Sequence, residues 1–129
     1  SNTDKNETPF TVSIDARDGT TTGMSVHDRI TTIKVLLNPD SRPDDLTRPG
    51  HLFPLRARDG LLRDRRGHTE GSIQLMKLAG LRPVAMICEI MNDDGTMTKG
   101  GDLNKFAVEH GLSMLSIEEV YEAAYNESL

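Results

Sequence analysis

Four segments of this 129-residue chain place reactive side chains where a regular element begins or ends. Arg65-Arg66-Gly67-His68-Thr69-Glu70 sets two cations, a glycine and an imidazole ahead of a helical pattern. Backbone N–H groups at a helix mouth favour an anion, and a neutral imidazole there can bind a divalent metal. The same residues also make an ordinary capping turn, with Thr69 as its N-cap. Glu89 follows the apolar run Pro83-Val84-Ala85-Met86-Ile87-Cys88. A carboxylate at the edge of a core is partly desolvated, which raises its pKa and suits acid–base work. A solvent-facing strand end accounts for it equally well. His51 starts a short apolar stretch behind Arg48-Pro49-Gly50 and could carry a proton, or be a packed or surface residue. Thr20-Thr21-Thr22-Gly23 is a hydroxyl-rich turn able to hold phosphate or to cap a helix, and Asp28 has capping-box spacing from Ser25.

The elements that must position these groups follow from periodicity. Phe10 to Asp15 alternates apolar and polar, as a half-buried strand does. After the Asp18-Gly19 turn, Ser25 introduces a helix with Ile30, Ile33, Leu36 and Leu37 on one face, stopped by Asn38-Pro39 and Pro43. His51 to Arg56 reads as a short strand made irregular by Pro54. Residues 57–67 read as a loop, and a helix is expected from about Thr69 to Leu78 with Gly80 at its C′ position. Pro83 to Cys88 reads as a buried strand, and Asn92-Asp93-Asp94-Gly95 as a turn. Asp102 is expected to cap a helix bearing Leu103, Phe106 and Ala107, and Leu112 to Leu115 to form a short strand. Ser116-Ile117-Glu118-Glu119 is a second capping box ahead of Val120, Tyr121 and Ala124. The alternation predicts an α/β (α+β) sandwich, a mixed sheet flanked by helices.

Composition narrows the function classes. A net charge of -5 argues against nucleic acid as a partner, and five aromatics with no tryptophan give no base-stacking platform. Arg56, Arg58, Arg63, Arg65 and Arg66 nevertheless fall in one short stretch, which reads either as a small-anion site or as a solvated loop. No apolar run is long enough to span a membrane. The polar start of the chain is unlike a secretory leader, and the single cysteine, Cys88, suits a reducing cytosol, so a cytoplasmic location is expected. There is no glycine-rich nucleotide loop, HExxH or paired CxxC.

The order of the segments goes further than their chemistry. Phe10-Thr11-Val12-Ser13-Ile14-Asp15, Thr21-Thr22-Gly23-Met24-Ser25, Asp28-Arg29 and Arg48 through Arg56 resemble successive stretches of the 3,4-dihydroxy-2-butanone-4-phosphate synthases of riboflavin biosynthesis. So do Gly67-His68-Thr69-Glu70, Leu78 through Pro83 and Glu89 through Met97. The resemblance covers nearly the whole chain in the family's own order. It implies a lyase that converts ribulose 5-phosphate to 3,4-dihydroxy-2-butanone 4-phosphate and formate with magnesium, manganese being an alternative metal. It implies that His68 is a metal ligand and that His51 and Glu89 are the proton-transfer residues. By the same resemblance Arg65, Arg66, Gly67, His68 and Thr69 cradle the substrate, together with Glu89, and Thr22 and Asp28 lie near the same pocket.

One departure matters. The family carries a further α/β region whose acidic loop supplies the other protein metal ligand, and nothing in this sequence resembles it. Arg66 also stands where a small residue is frequent. Residues 1–129 are therefore expected to be the C-terminal, larger part of a single synthase domain, homodimeric by resemblance. In bifunctional relatives a GTP cyclohydrolase II domain follows. The alternative expectation is a non-catalytic sugar-phosphate-binding or assembly domain that lacks half of the metal site.

Overall fold

The computed structural model describes residues 3–5 and 8–126. The chain divides into two compact units, one running to Asp59 and the other starting at Gly60. Each is α+β or helical in its own right, and helices with antiparallel pairing give the mixed α/β class expected. No helix among the described residues is long and apolar enough to cross a membrane.

The first unit is built on β1 (Ile14–Ala16), α1 (Val26–Leu37) and β2 (Leu46–Leu52). β1 and β2 form a two-stranded antiparallel sheet, with Ile14 opposite Leu52 and Asp15 opposite Thr47. The ladder is interrupted between Ile14 and Asp15, so most of the longer β2 bulges away from the short β1. Gly50 lies in that bulge. A Cβ on it would fall 2.1 Å from the Ile14 carbonyl carbon, so only glycine lets the two backbones approach.

The paired strand expected over Phe10–Asp15 is thus confined to its last residues, with an isolated bridge between Phe10 and Leu55. The strand expected from His51 begins earlier, at Leu46. Pairing with β1, rather than the local apolar pattern, decides where β2 starts.

α1 begins as its capping signal predicts, with Ser25 Oγ accepting from the Asp28 N–H at 3.1 Å. The face it buries differs from the one expected. Ile30 and Leu37 are exposed, whereas Asp28 and Thr32, four residues apart on one face, are fully buried. Thr32 is tolerated there because its hydroxyl is satisfied twice: it accepts from Ala16 N–H at 2.8 Å and donates to the Asp28 carbonyl at 3.2 Å. The core of this unit is therefore partly polar, with Ile14 and Ala16 packed beside hydrogen-bonded groups.

The second unit contains α2 (His68–Leu78), α3 (Gly101–Glu109) and α4 (Ile117–Tyr125). α2 is capped by Gly67 rather than Thr69, and α3 by Gly100 rather than Asp102. Gly80 ends α2 as expected: it adopts φ 68°, and Leu81 N–H reaches the Met76 carbonyl while Gly80 N–H reaches that of Lys77. Ser116 and Glu119 form the expected reciprocal capping box of α4.

α4 packs on α2 across Gly71, where a Cβ would meet Ile117 Cδ1 at 2.6 Å. Leu62 and Val120 fill the core beside them. Tyr125 donates to Gln74 Oε1 at 2.6 Å, and Arg63 lies over the Tyr125 ring.

Two expected strands do not form. Residues 83–88 and 112–115 carry no ladder among the described residues, and Met86 is 71% exposed. An extended apolar segment becomes a strand only when a neighbour takes up its N–H and C=O groups, and among the described residues no strand pairs with either segment.

Gly50→Ala should destabilise the first unit by about 1–3 kcal/mol, the usual cost of forcing a side chain into a packed site. Chemical denaturation checks it, and an unchanged midpoint would contradict the close approach.

Candidate active site

In the first unit the chemistry gathers around His51. Its ring Nδ1 lies 2.7 Å from Asp15 Oδ2, and its own backbone N–H donates to Asp15 Oδ1 at 2.9 Å. Both oxygens of one carboxylate therefore hold the same residue. Arg29 Nη1 donates to the His51 carbonyl at 3.1 Å. Burial works to raise the Asp15 pKa, but the His51 hydrogen bonds and the nearby His51 and Arg29 charges outweigh it, so the carboxyl stays below its ordinary value. The imidazole keeps 40% of its side-chain surface exposed.

The Thr20–Gly23 turn is held from the other side by Asp28. Thr21 donates from its backbone at 3.0 Å and from its hydroxyl at 2.8 Å, and Gly23 N–H donates at 3.0 Å. The Thr21 backbone bond, then its side-chain bond, outweigh desolvation and hold the Asp28 carboxyl below the usual carboxylate range. Asp28 is thus more than a partner for the Ser25 cap. Gly23 has φ 87° and presses on the Asp15–His51 pair: a Cβ there would lie 2.3 Å from Asp15 Oδ2 and 2.6 Å from His51 Nδ1. Thr22 is exposed in the same turn.

In the second unit the start of α2 carries the remaining groups. His68 is its first residue and is exposed, while Gly67 offers no side-chain cap to the first-turn N–H groups. The start of a helix, with its N–H groups and a glycine cap, suits an anion. Arg65 folds across this end. Its Nη1 bonds to Oε2 of the fully buried Glu70 at 2.9 Å, and a Cβ on Gly67 would strike that same Nη1 at 2.0 Å. One of the five guanidinium N–H groups is committed there. Thr69 is half-buried at the second helical position.

Arg56, Arg58, Arg63 and Arg66 are exposed, as in a solvated loop, but several of them are engaged by neighbouring side chains. Arg66 pairs with Glu118 at 2.7 Å and lies over the Tyr121 ring, and Arg63 covers Tyr125, so both fasten α4. Arg56 pairs with Asp59. Glu89 is exposed in irregular chain, not set at a core boundary, because the apolar run before it forms no strand.

Asp15, Arg29 and Gly23 are the contributors that sequence reasoning missed. Asp15 reads as the polar side of an alternating strand, and nothing local signals a partner 36 residues away. No three His, Cys, Asp or Glu side chains among the described residues converge on a metal site. The exposed His68 imidazole could supply one ligand to a divalent ion.

Comparison with known proteins resolves the family. The model of the 3,4-dihydroxy-2-butanone 4-phosphate synthase family matches residues 1–123. The chain belongs to that family. A synthase of this name from Syntrophotalea carbinolica is 54% identical over 92% of the chain and 55% of the relative. One from Vibrio parahaemolyticus is 53% identical, again over 92% and 55%. This synthase-family chain thus spans about half the length of the curated relatives it matches.

Among solved structures, the Candida albicans synthase superposes with a TM-score of 0.87 at 46% identity, over 92% of this chain and 61% of that one. A synthase in complex with two magnesium ions gives a TM-score of 0.87 at 37% identity, over 98% and 64%. A two-domain synthase from A. baumannii gives 0.85 at 42% identity, over 95% and 37%.

The depressed pKa of Asp28 sets a pH dependence. Its contribution to stability is complete above the unfolded carboxylate value of about 3.9 and is lost as pH falls through the lower folded value. Asp28→Asn should lower the Tm at neutral pH and weaken the decline of Tm below about pH 4. Parallel pH–Tm curves for the two proteins would contradict this.

Proposed function

We propose that this chain serves the conversion of ribulose 5-phosphate to 3,4-dihydroxy-2-butanone 4-phosphate and formate in riboflavin biosynthesis. The observation that carries this reading is the family match over residues 1–123, to proteins named for that activity.

The substrate phosphate is assigned to the start of α2. There Gly67 supplies no side-chain cap and leaves room for Arg65, which retains donors beyond the one on Glu70. Thr69 adds a hydroxyl beside that turn, and Arg66 adds charge at its rim while fastening α4. Binding energy gained at the phosphate, remote from the reacting carbons, orients them.

His51 and Glu89 are assigned the successive proton transfers, since both side chains keep solvent-accessible faces. Thr22 and Asp28 shape the turn beside His51. His68 would hold a divalent ion, magnesium with manganese as a substitute. When bound, such an ion supplies Lewis-acid stabilisation of negative charge on substrate oxygen. A synthase structure holding two magnesium ions supports the choice of metal. A cytoplasmic homodimer is the accompanying proposal, and a two-domain relative supports fusion to a further domain in some family members.

Formate release from ribulose 5-phosphate in the presence of magnesium tests the reading in the full-length protein. His68→Ala should abolish release and weaken magnesium binding, measured calorimetrically. Glu89→Ala should abolish release with magnesium affinity kept. Equal metal affinity in wild type and His68→Ala, or no formate from the intact wild type, would overturn these assignments.

A further inference from the structure

We propose that Asp15 is a positioning residue that fixes the His51 ring in the tautomer with hydrogen on Nδ1, leaving the Nε2 lone pair for proton transfer. The inference rests on the reading of His51 as a proton carrier, but its structural half stands without it.

Three observations converge. The carboxylate uses Oδ1 for the His51 backbone N–H and Oδ2 for the ring Nδ1, so the main chain and the imidazole are gripped together. An ionised carboxylate only accepts hydrogen bonds, so Nδ1 must be the donor and the neutral ring must carry its free lone pair on Nε2. Arg29 holds the His51 carbonyl, and Gly23 closes against the pair with no room for a Cβ. Gly23 is itself pinned by Asp28. The ring therefore has little freedom to rotate away from Asp15, while 40% of the side-chain surface remains exposed.

A plain strand staple would need the Asp15–His51 contact but not a particular tautomer, and Asp15→Asn separates the two. The His51 backbone N–H claims the one remaining acceptor, the amide oxygen, so the new NH2 faces Nδ1. The ring must then accept at Nδ1 and move its hydrogen to Nε2, with the geometry preserved. A staple tolerates that exchange, whereas a proton carrier is disabled by it.

The test is long-range 1H–15N correlation on 15N-histidine-labelled full-length protein, at a pH where His51 is neutral, alongside steady-state kinetics of formate release. The expected wild-type spectrum shows His51 protonated at Nδ1, and Asp15→Asn shows it protonated at Nε2. The variant should lose about 100-fold or more in kcat, the scale of general acid–base catalysis, with KM changed less than about threefold. A wild-type ring protonated at Nε2 overturns the proposal, and this measurement needs no variant to fold. An unchanged tautomer in folded Asp15→Asn also overturns it. A flipped tautomer with undiminished kcat refutes the catalytic role of the positioning. If wild type shows the Nδ1–H tautomer but releases no formate, the functional reading fails while the structural assignment stands.

Discussion

Asp15, Asp28 and Glu70 carry carboxyl groups withdrawn from water at the edges of otherwise small cores. Burying such a group without partners costs several kcal/mol, so each dictates the conformation of whatever supplies its donors. Asp28 requires the Thr21 and Gly23 N–H groups and thereby folds the turn between β1 and α1. Asp15 requires the His51 main chain and ring, and so sets how β2 meets β1. Glu70 draws Arg65 across the first turn of α2. The glycines follow from the same requirement: Gly23, Gly50 and Gly67 each occupy a place where a Cβ would strike the held group or its backbone. Within each unit the loops that bear reactive side chains are thus fixed chiefly by polar anchoring, with apolar burial in support.

This ordering explains what could be read from the sequence. Several local signals hold, since the Ser25 cap, the Ser116–Glu119 box and the Gly80 stop depend on residues within one turn of each other, although Thr69 and Asp102 give way as N-caps to Gly67 and Gly100. The α+β class was legible from alternation. Signals that need a distant partner were not. The apolar runs 83–88 and 112–115 look like strands, but a ladder depends on a neighbour that the local pattern cannot supply. The contacts of Arg63 and Arg66 with Tyr125 and Tyr121, more than fifty residues on, are announced by no local pattern. Asp15 was hidden for the same reason, being distant in sequence from the histidine it holds.

Site residues were legible mainly through resemblance, and the geometry adds tasks that resemblance does not give. Arg65 is shared between a buried carboxylate and whatever occupies the α2 start, which fixes its guanidinium before any ligand arrives. Such preorganisation lowers the ordering cost of binding. His68, the first residue of α2, remains exposed. Glu89 lacks any comparable anchor among the described residues, its segment being irregular and exposed, which sets it apart from the pre-formed turn around His51.

The central claim is that buried carboxylates, through the N–H groups they accept, hold the loops that bear the candidate site residues as firmly as the sheet holds itself. Native-state hydrogen exchange reads those N–H groups directly. The account predicts that the amides of His51 and Gly23 exchange as slowly as those paired in the β1–β2 ladder. It predicts them far slower than the Gly95 amide, which bonds only within an exposed turn. Exchange of His51 and Gly23 at the rate of Gly95 would contradict it.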